Sequence, residues 1–295
     1  MFEGFQLSRL ETREAVIRVR HGGHGPGLLL LHGHPQTHVM WHKIAPRLAQ
    51  HFTVVAADLR GYGESSKPAT TPDHEPYSKR AMARDQVEVM QQLGFERFCV
   101  VGHDRGGYCA YRMALDYPER VLKLAVFDNI PIGEAFRRTT REFALGWWHW
   151  FFFAQPDLPE RLIGENPDNY YRWGERMRDK LPAYFAPEAV ADYHRCVYNS
   201  ETIRAMIEEY RAGATYDFAL DEAERGKKQI TCPMLVLTCL KDDLKDYFDI
   251  EGIWREWATD VRFRELDAGH YAPEEVPDET YRELSTFLLA RENRE

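Results

Sequence analysis

The sequence predicts an α/β protein: a mostly parallel, doubly wound sheet carrying an inserted helical cap. Three observations support this. Over residues 1–130 and 229–295 short apolar runs alternate with segments of helical spacing, the pattern that parallel βαβ units produce. Between residues 131 and 228 that alternation gives way to aromatic-rich sequence without β-branched runs. Tight glycine turns follow the apolar runs at Gly33, Gly61 and Gly102.

Taken in order, GLLLLHG at 27–33, FTVVAAD at 52–58, RFCVVGH at 97–103, VLKLAVFD at 121–128, PMLVLTC at 233–239 and VRFREL at 261–266 read as strands buried on both faces. Between them, RAMARDQVEVMQQLG at 80–94 and RGGYCAYRMALDY at 105–117 space their apolar residues as helices do, and a closing helix covers 277–292. ALGWWHWFFFAQP, NYYRW, LPAYF and DYHRCVY form the all-helical cap, inserted after the fourth of those strands. The core is therefore 1–130 with 229–295, and the cap 131–228. Nothing repeats at a fixed period.

Composition narrows the function. A chain of 295 residues, 44% hydrophobic and 29% charged, can bury a large core. Its net charge of 38 − 47 = −9 argues against a nucleic-acid partner and leaves any bound anion dependent on local cations. The cysteines Cys99, Cys109, Cys196, Cys232 and Cys239 are odd in number and lack CxxC spacing, so neither a disulfide framework nor a structural metal site is expected. Glu3, Glu11 and several arginines interrupt the N-terminal apolar residues, leaving no signal-peptide apolar region. No stretch reaches the roughly 18 apolar residues of a membrane span. These features predict a cytoplasmic protein acting on a small-molecule substrate, away from membranes.

The chemistry centres on VVGHDRGGYCAY at 100–111, where a strand turns at Gly102 and a helix begins. Asp104 stands where serine stands in the G-x-S-x-G nucleophile elbow. A carboxylate capping a helix N-terminus is the plainer reading of that residue alone. Three companions favour a nucleophile. LLLLHGHPQTHVMW carries an HG turn whose backbone N–H at His34, with that of Arg105, would form an oxyanion hole. AADLRGYGESSKP at 56–68 is a tight glycine turn after the next strand. LDAGHYAPEEVPDE at 266–279 sets His270 just past the last strand, at the same sheet edge.

Together these motifs resemble the α/β-hydrolase fold, and the Asp elbow is similar to those of haloalkane dehalogenases and epoxide hydrolases. More narrowly, HGHPQTHVMWHKIAP, GHDRGGYCAYRMALDYPERV, WHWFFFAQP and EEYRAGATYDF resemble the haloacetate dehalogenases, including those acting on fluoroacetate. The resemblance runs from about Gly33 to Pro277. It implies a hydrolytic dehalogenase that cleaves the carbon–halogen bond of a small haloacid through an aspartyl ester. Water is the second substrate, halide ion a product, and no cofactor is involved; a homodimer is left open. The residue type fits, because Asp104 is ionised at pH 7 and can displace a leaving group from saturated carbon in one step. Water then hydrolyses the ester with His270 as general base.

Further roles follow from the resemblance. Asp128, closing AVFD, is the preferred carboxylate for fixing the His270 tautomer, with Asp242 and Asp243 of LTCLKDD as competitors past the next strand. His149, Trp150 and Tyr210 offer N–H and O–H donors to a departing halide, while Trp147, Trp148 and Phe151 to Phe153 pack. The Arg105 side chain holds a substrate carboxylate next to the reacting carbon. Fluoroacetate enzymes carry a second arginine three residues further on, where this chain has Tyr108, so Arg105 and Tyr108 share that task with one cation fewer. An epoxide hydrolase would use the same Asp104 and His270 with paired cap tyrosines. Tyr170, Tyr171, Tyr184, Tyr193, Tyr198 and Tyr216 are candidates besides Tyr210. A hydrolase-like ligand receptor is the alternative outside enzymes.

Overall fold

The computed structural model describes residues 1–171 and 182–290 of the chain. Eight strands form one sheet in the order β1-β2-β4-β3-β5-β6-β7-β8: β1 (Gln6–Glu11), β2 (Val16–Gly23), β3 (Gly27–Leu31), β4 (Thr53–Ala57), β5 (Phe98–His103), β6 (Val121–Phe127), β7 (Met234–Cys239) and β8 (Val261–Leu266). The six strands expected from the apolar runs are all present, at the expected places or slightly shorter. β1 and β2 were not expected. They pair antiparallel with each other, and β2 pairs antiparallel with β4, whereas every other pairing is parallel.

The sheet is doubly wound in a way β3 makes plain. Leu29 and Leu31 pack into one apolar cluster with Met82, Ala110 and Met113, while Leu28 and Leu30 pack into another with Trp41, Leu284 and Phe287. Alternate side chains of one strand thus reach helices on opposite faces. The helices Lys79–Gln92 (α1) and Arg105–Asp116 (α2) cover the first face, and Pro277–Leu289 (α6) covers the second. The final positions of the expected closing helix, 291–292, lie outside the described residues. β8 departs from the expectation of two buried faces. It has one neighbour, and its Arg262, Arg264 and Glu265 are exposed.

Between β6 and β7 the described residues contain helices and no strand of the sheet. Three of these helices bear on the site: Trp148–Phe153 (α3), Pro187–Val197 (α4) and Ser200–Ala212 (α5). A wide turn at Gly213–Asp217 carries α5 on toward Glu224. No helix among the described residues is long and apolar enough to cross a membrane.

Candidate active site

Parallel strands deliver their following loops to one sheet edge, and β3, β5, β6, β7 and β8 are consecutive neighbours. The loops after these five strands carry His34, Asp104, Asp128, Asp242 and His270 respectively. Topology alone therefore gathers residues spread over more than two hundred positions.

Asp104 occupies a turn at φ 47°, ψ −116°, a strained conformation for a residue with a side chain. The strain persists because strand and helix leave no other path. A Cβ on Gly106 would lie 2.4 Å from the Leu31 carbonyl oxygen, and one on Gly102 would lie 2.3 Å from the Gly106 oxygen. The carboxylate makes no capping hydrogen bond to the start of α2. Its Oδ1 instead accepts the His34 backbone N–H at 2.7 Å. Burial raises the pKa of Asp104, yet the nearby His270, His103 and Arg105 and that N–H outweigh it and hold the carboxyl below its ordinary value.

His270 Nδ1 donates to Asp242 Oδ2 at 2.6 Å and lies 4.0 Å from Asp128 Oδ2. The preference for Asp128 as its hydrogen-bond partner is thus corrected in favour of the competitor after β7. The reason is local. Asp128 Oδ1 is taken by the Cys239 backbone N–H at 2.7 Å, and its Oδ2 is buried without a hydrogen bond. Burial, reinforced by the Asp242 charge, pushes Asp128 up to about 7. Asp242 is held low by His270 in spite of its burial. Burial would lower His270, but Asp242, Asp104 and Asp128 together push it up to about 10. Ligand atoms of Asp128, Asp242 and His270 lie within 4.8 Å of one another, and a metal ion there would have to displace the His270–Asp242 hydrogen bond. Asp243 is engaged elsewhere, accepting the Trp147 indole N–H at 2.9 Å. His103, overlooked in the sequence, anchors the His270 loop by donating from Nε2 to the His270 carbonyl oxygen at 2.6 Å.

A cavity of about 640 Å³ opens over this edge, with Asp104, His34 and His270 on its floor side and His149, Tyr171 and Tyr210 among its cap-side walls. His149 and Tyr210 face each other at 6.0 Å between ring centroids, and burial lowers His149 to about 4, leaving it neutral. Trp150 is not on the wall. It sits behind, 2% exposed, against Tyr108, Phe136, Phe143 and Tyr210. The Arg105 side chain also departs from expectation: it is buried beneath the wall, with Nε 2.7 and 2.8 Å from the two oxygens of Glu209. Tyr108 is equally buried, packed edge-on against Trp150 and Tyr111. Neither lines the cavity. Glu209 carried no signal in the sequence, since a glutamate one position before Tyr210 on a helix reads as a solvated face.

The family model described as alpha/beta hydrolase fold matches residues 26–277. The chain is 45% identical to the fluoroacetate dehalogenase of a Burkholderia species, over 98% of this chain and 95% of that one. It is 33% identical to the soluble epoxide hydrolase of Corynebacterium sp. (strain C12), over 86% and 87% of the two chains. Among solved structures, ALR0039 from Nostoc sp PCC 7120 superposes with a TM-score of 0.95 at 52% identity, covering 99% of this chain and 100% of that one.

Proposed function

The chain belongs to the alpha/beta hydrolase family, and from that premise we propose a hydrolase of carbon–halogen bonds, of the haloacetate dehalogenase type, working through an ester of Asp104. The single observation that carries the proposal is an ionised carboxylate on a strained elbow, one oxygen held by the His34 N–H, in a cavity shared with His270. In this reading residues 131–228 are the cap and 1–130 with 229–295 the core, supported by the helices that, among the described residues, stand between β6 and β7 without a strand of the sheet.

In the first step an Asp104 oxygen bonds to the halogen-bearing carbon as the halide leaves with its electron pair. The His149 ring N–H and Tyr210 O–H on the cavity wall receive the developing anion, with Trp150 buttressing Tyr210 from behind. In the second step His270 takes a proton from water, which attacks the ester carbonyl. The N–H groups of His34 and Arg105 hold the resulting oxyanion, and collapse releases the hydroxylated product and restores Asp104. Asp242 steadies the imidazolium. The resting His270 is protonated, but esterification removes the Asp104 charge that helps to keep it so. With its pKa lowered in this way, the ring gives its proton to solvent before it takes one from the attacking water.

Cytoplasmic residence fits the buried free thiols Cys109, Cys196 and Cys239, and a homodimer is a matter for sedimentation. A second reading, epoxide hydrolysis with the same nucleophile, is supported by two phenols on the cavity wall, Tyr171 and Tyr210, the former with an O–H that has no hydrogen-bond partner among the described residues. The test of the ester route is His270→Ala. With chloroacetyl substrates this variant should accumulate a stable adduct, seen by mass on the peptide containing Asp104; normal turnover by the variant would remove His270 as the base.

A further inference from the structure

Trp147, from the segment between β6 and β7, and Asp243, from the loop after β7, both line the cavity and meet in one hydrogen bond. What that bond does for the chemistry rests on the hydrolytic reading above, with His149 as a donor to the departing halide. Trp147 stands at the junction between the helix Arg141–Gly146 and α3. Its indole N–H donates to Asp243 Oδ1 at 2.9 Å, and the other oxygen of Asp243 accepts the Tyr247 O–H at 3.2 Å. The two segments are packed closely here: a Cβ on Gly146 would collide with the Tyr247 hydroxyl oxygen.

Each partner of this bond reaches a residue that the chemistry needs. The Trp147 ring stacks on His149, with centroids 5.8 Å apart and planes 29° from parallel, and α3, which carries His149, begins at the next residue. On the other side, the Asp243 backbone N–H donates to Asp242 Oδ1 at 2.7 Å, while Asp242 Oδ2 accepts from His270. Two adjacent aspartates therefore hold the base and, through one indole, the ring of the halide donor. A buried indole N–H needs some acceptor, and Trp147 takes its own from the loop that carries the acid. The placement matters because displacement at carbon sends the halide away from Asp104 along the line of attack. A donor displaced by about 1 Å from that line loses much of its effect on the barrier.

We propose that Asp243 is a positioning residue for halide departure: by holding Trp147 it fixes the His149 ring relative to the nucleophile. Asp243 touches neither the reacting carbon nor the halide, and His149 keeps its proton while donating a hydrogen bond to the anion. The turn after β7 thus serves both steps, Asp242 the hydrolysis of the ester and Asp243 its formation.

The experiment compares chloroacetate with bromoacetate. Chloride is the poorer leaving group and gains more from a well-placed donor, and kcat/KM reports the steps up to loss of halide without the later hydrolysis. In Asp243→Ala, kcat/KM for chloroacetate should fall by about tenfold, the worth of one hydrogen bond, and that for bromoacetate by clearly less. Trp147→Phe keeps a packed ring, removes the N–H and should shift the ratio equally, and the double variant should add little to either. Asp243→Asn retains an acceptor oxygen and should restore the unmodified ratio. Should Asp243→Ala fail to fold, Trp147→Phe decides alone. Equal losses for both compounds, the mark of a merely structural role, would overturn the proposal, as would a ratio unmoved in the folded variants. Adduct accumulating on the Asp104 peptide with that ratio unmoved would assign Asp243 to Asp242 and the ester step instead. If the unmodified protein releases halide from neither compound and forms no adduct, the hydrolytic reading itself fails and takes the proposal with it.

Discussion

Asp104 has to be both buried and ionised, and its neighbours reconcile the two. Desolvation raises its pKa, while His270, His103, Arg105 and the His34 N–H stabilise the anion. The same exchange operates in reverse at His270, which burial would neutralise and three carboxylates keep charged. The choice of acid partner follows from distance: 2.6 Å to Asp242 against 4.0 Å to Asp128. Asp242→Asn should therefore lower kcat for halide release by about 10³- to 10⁴-fold, as expected when a histidine loses the carboxylate that fixes its tautomer. Asp128→Asn should cost clearly less, and the reverse order in steady-state kinetics would return the role to Asp128. This choice was not legible in the sequence. Asp128 and Asp242 both end loops after neighbouring strands, and only the hydrogen bond from Cys239, remote in sequence, distinguishes them. The pairing of Arg105 with Glu209 was hidden for a similar reason, since 104 positions separate them and nothing in EEYRAG marks a buried anion.

Among the elements, β5, the elbow and α2 form the unit on which the chemistry stands. In the proposed mechanism α2 must lie almost on the sheet for the Arg105 N–H to reach the Asp104 ester, and glycine makes that close packing possible. Gly106→Ala would set a methyl group 2.4 Å from the Leu31 oxygen and 2.6 Å from the His32 oxygen, backbone atoms that cannot swing aside. Overpacking of this kind should destabilise the protein by about 1–3 kcal/mol, read as a lower denaturant midpoint at unchanged slope. An unchanged midpoint would mean that the helix can lift from the sheet without loss. This unit was legible because its strand is wholly buried and its turn residues have few substitutes. The β1–β2 hairpin was not recognised because its strands alternate polar and apolar residues, as QLSRLE and VIRVR show, and β1 lies largely exposed. Such alternation is a true strand signal for the outer part of an antiparallel edge, but it is weaker than the continuous runs at the centre.

At the scale of the whole molecule, burial dominates the titration of several carboxyls. It raises Asp217 to about 7, Asp221 to about 6 and Glu274 to about 8, alongside Asp128 at about 7. A carboxyl whose folded pKa exceeds its unfolded value binds its proton more tightly in the native state. Its contribution to stability is complete at low pH and declines as pH rises from the unfolded value through the folded one. His270, raised from 6.5 to about 10, adds a contribution complete below pH 6.5 and lost as pH rises through about 10. All five groups act in one direction, and above about pH 7 the lowered His34, His103 and His149 no longer oppose them, so Tm should fall between pH 7 and pH 10, and Glu274→Gln should flatten the part of that fall below about pH 8. A Tm that rises over this interval in calorimetry would contradict the raised titration of these groups. The central claim, however, is that Asp104 itself bonds to the substrate carbon and that water attacks the carboxyl afterwards. Its most direct test is one turnover with enzyme in excess in heavy-oxygen water, followed by mass spectrometry of the product and of the elbow peptide. The account predicts that heavy oxygen enters the Asp104 carboxylate while the first product carries ordinary oxygen; heavy oxygen in the first product, with none in Asp104, would contradict it.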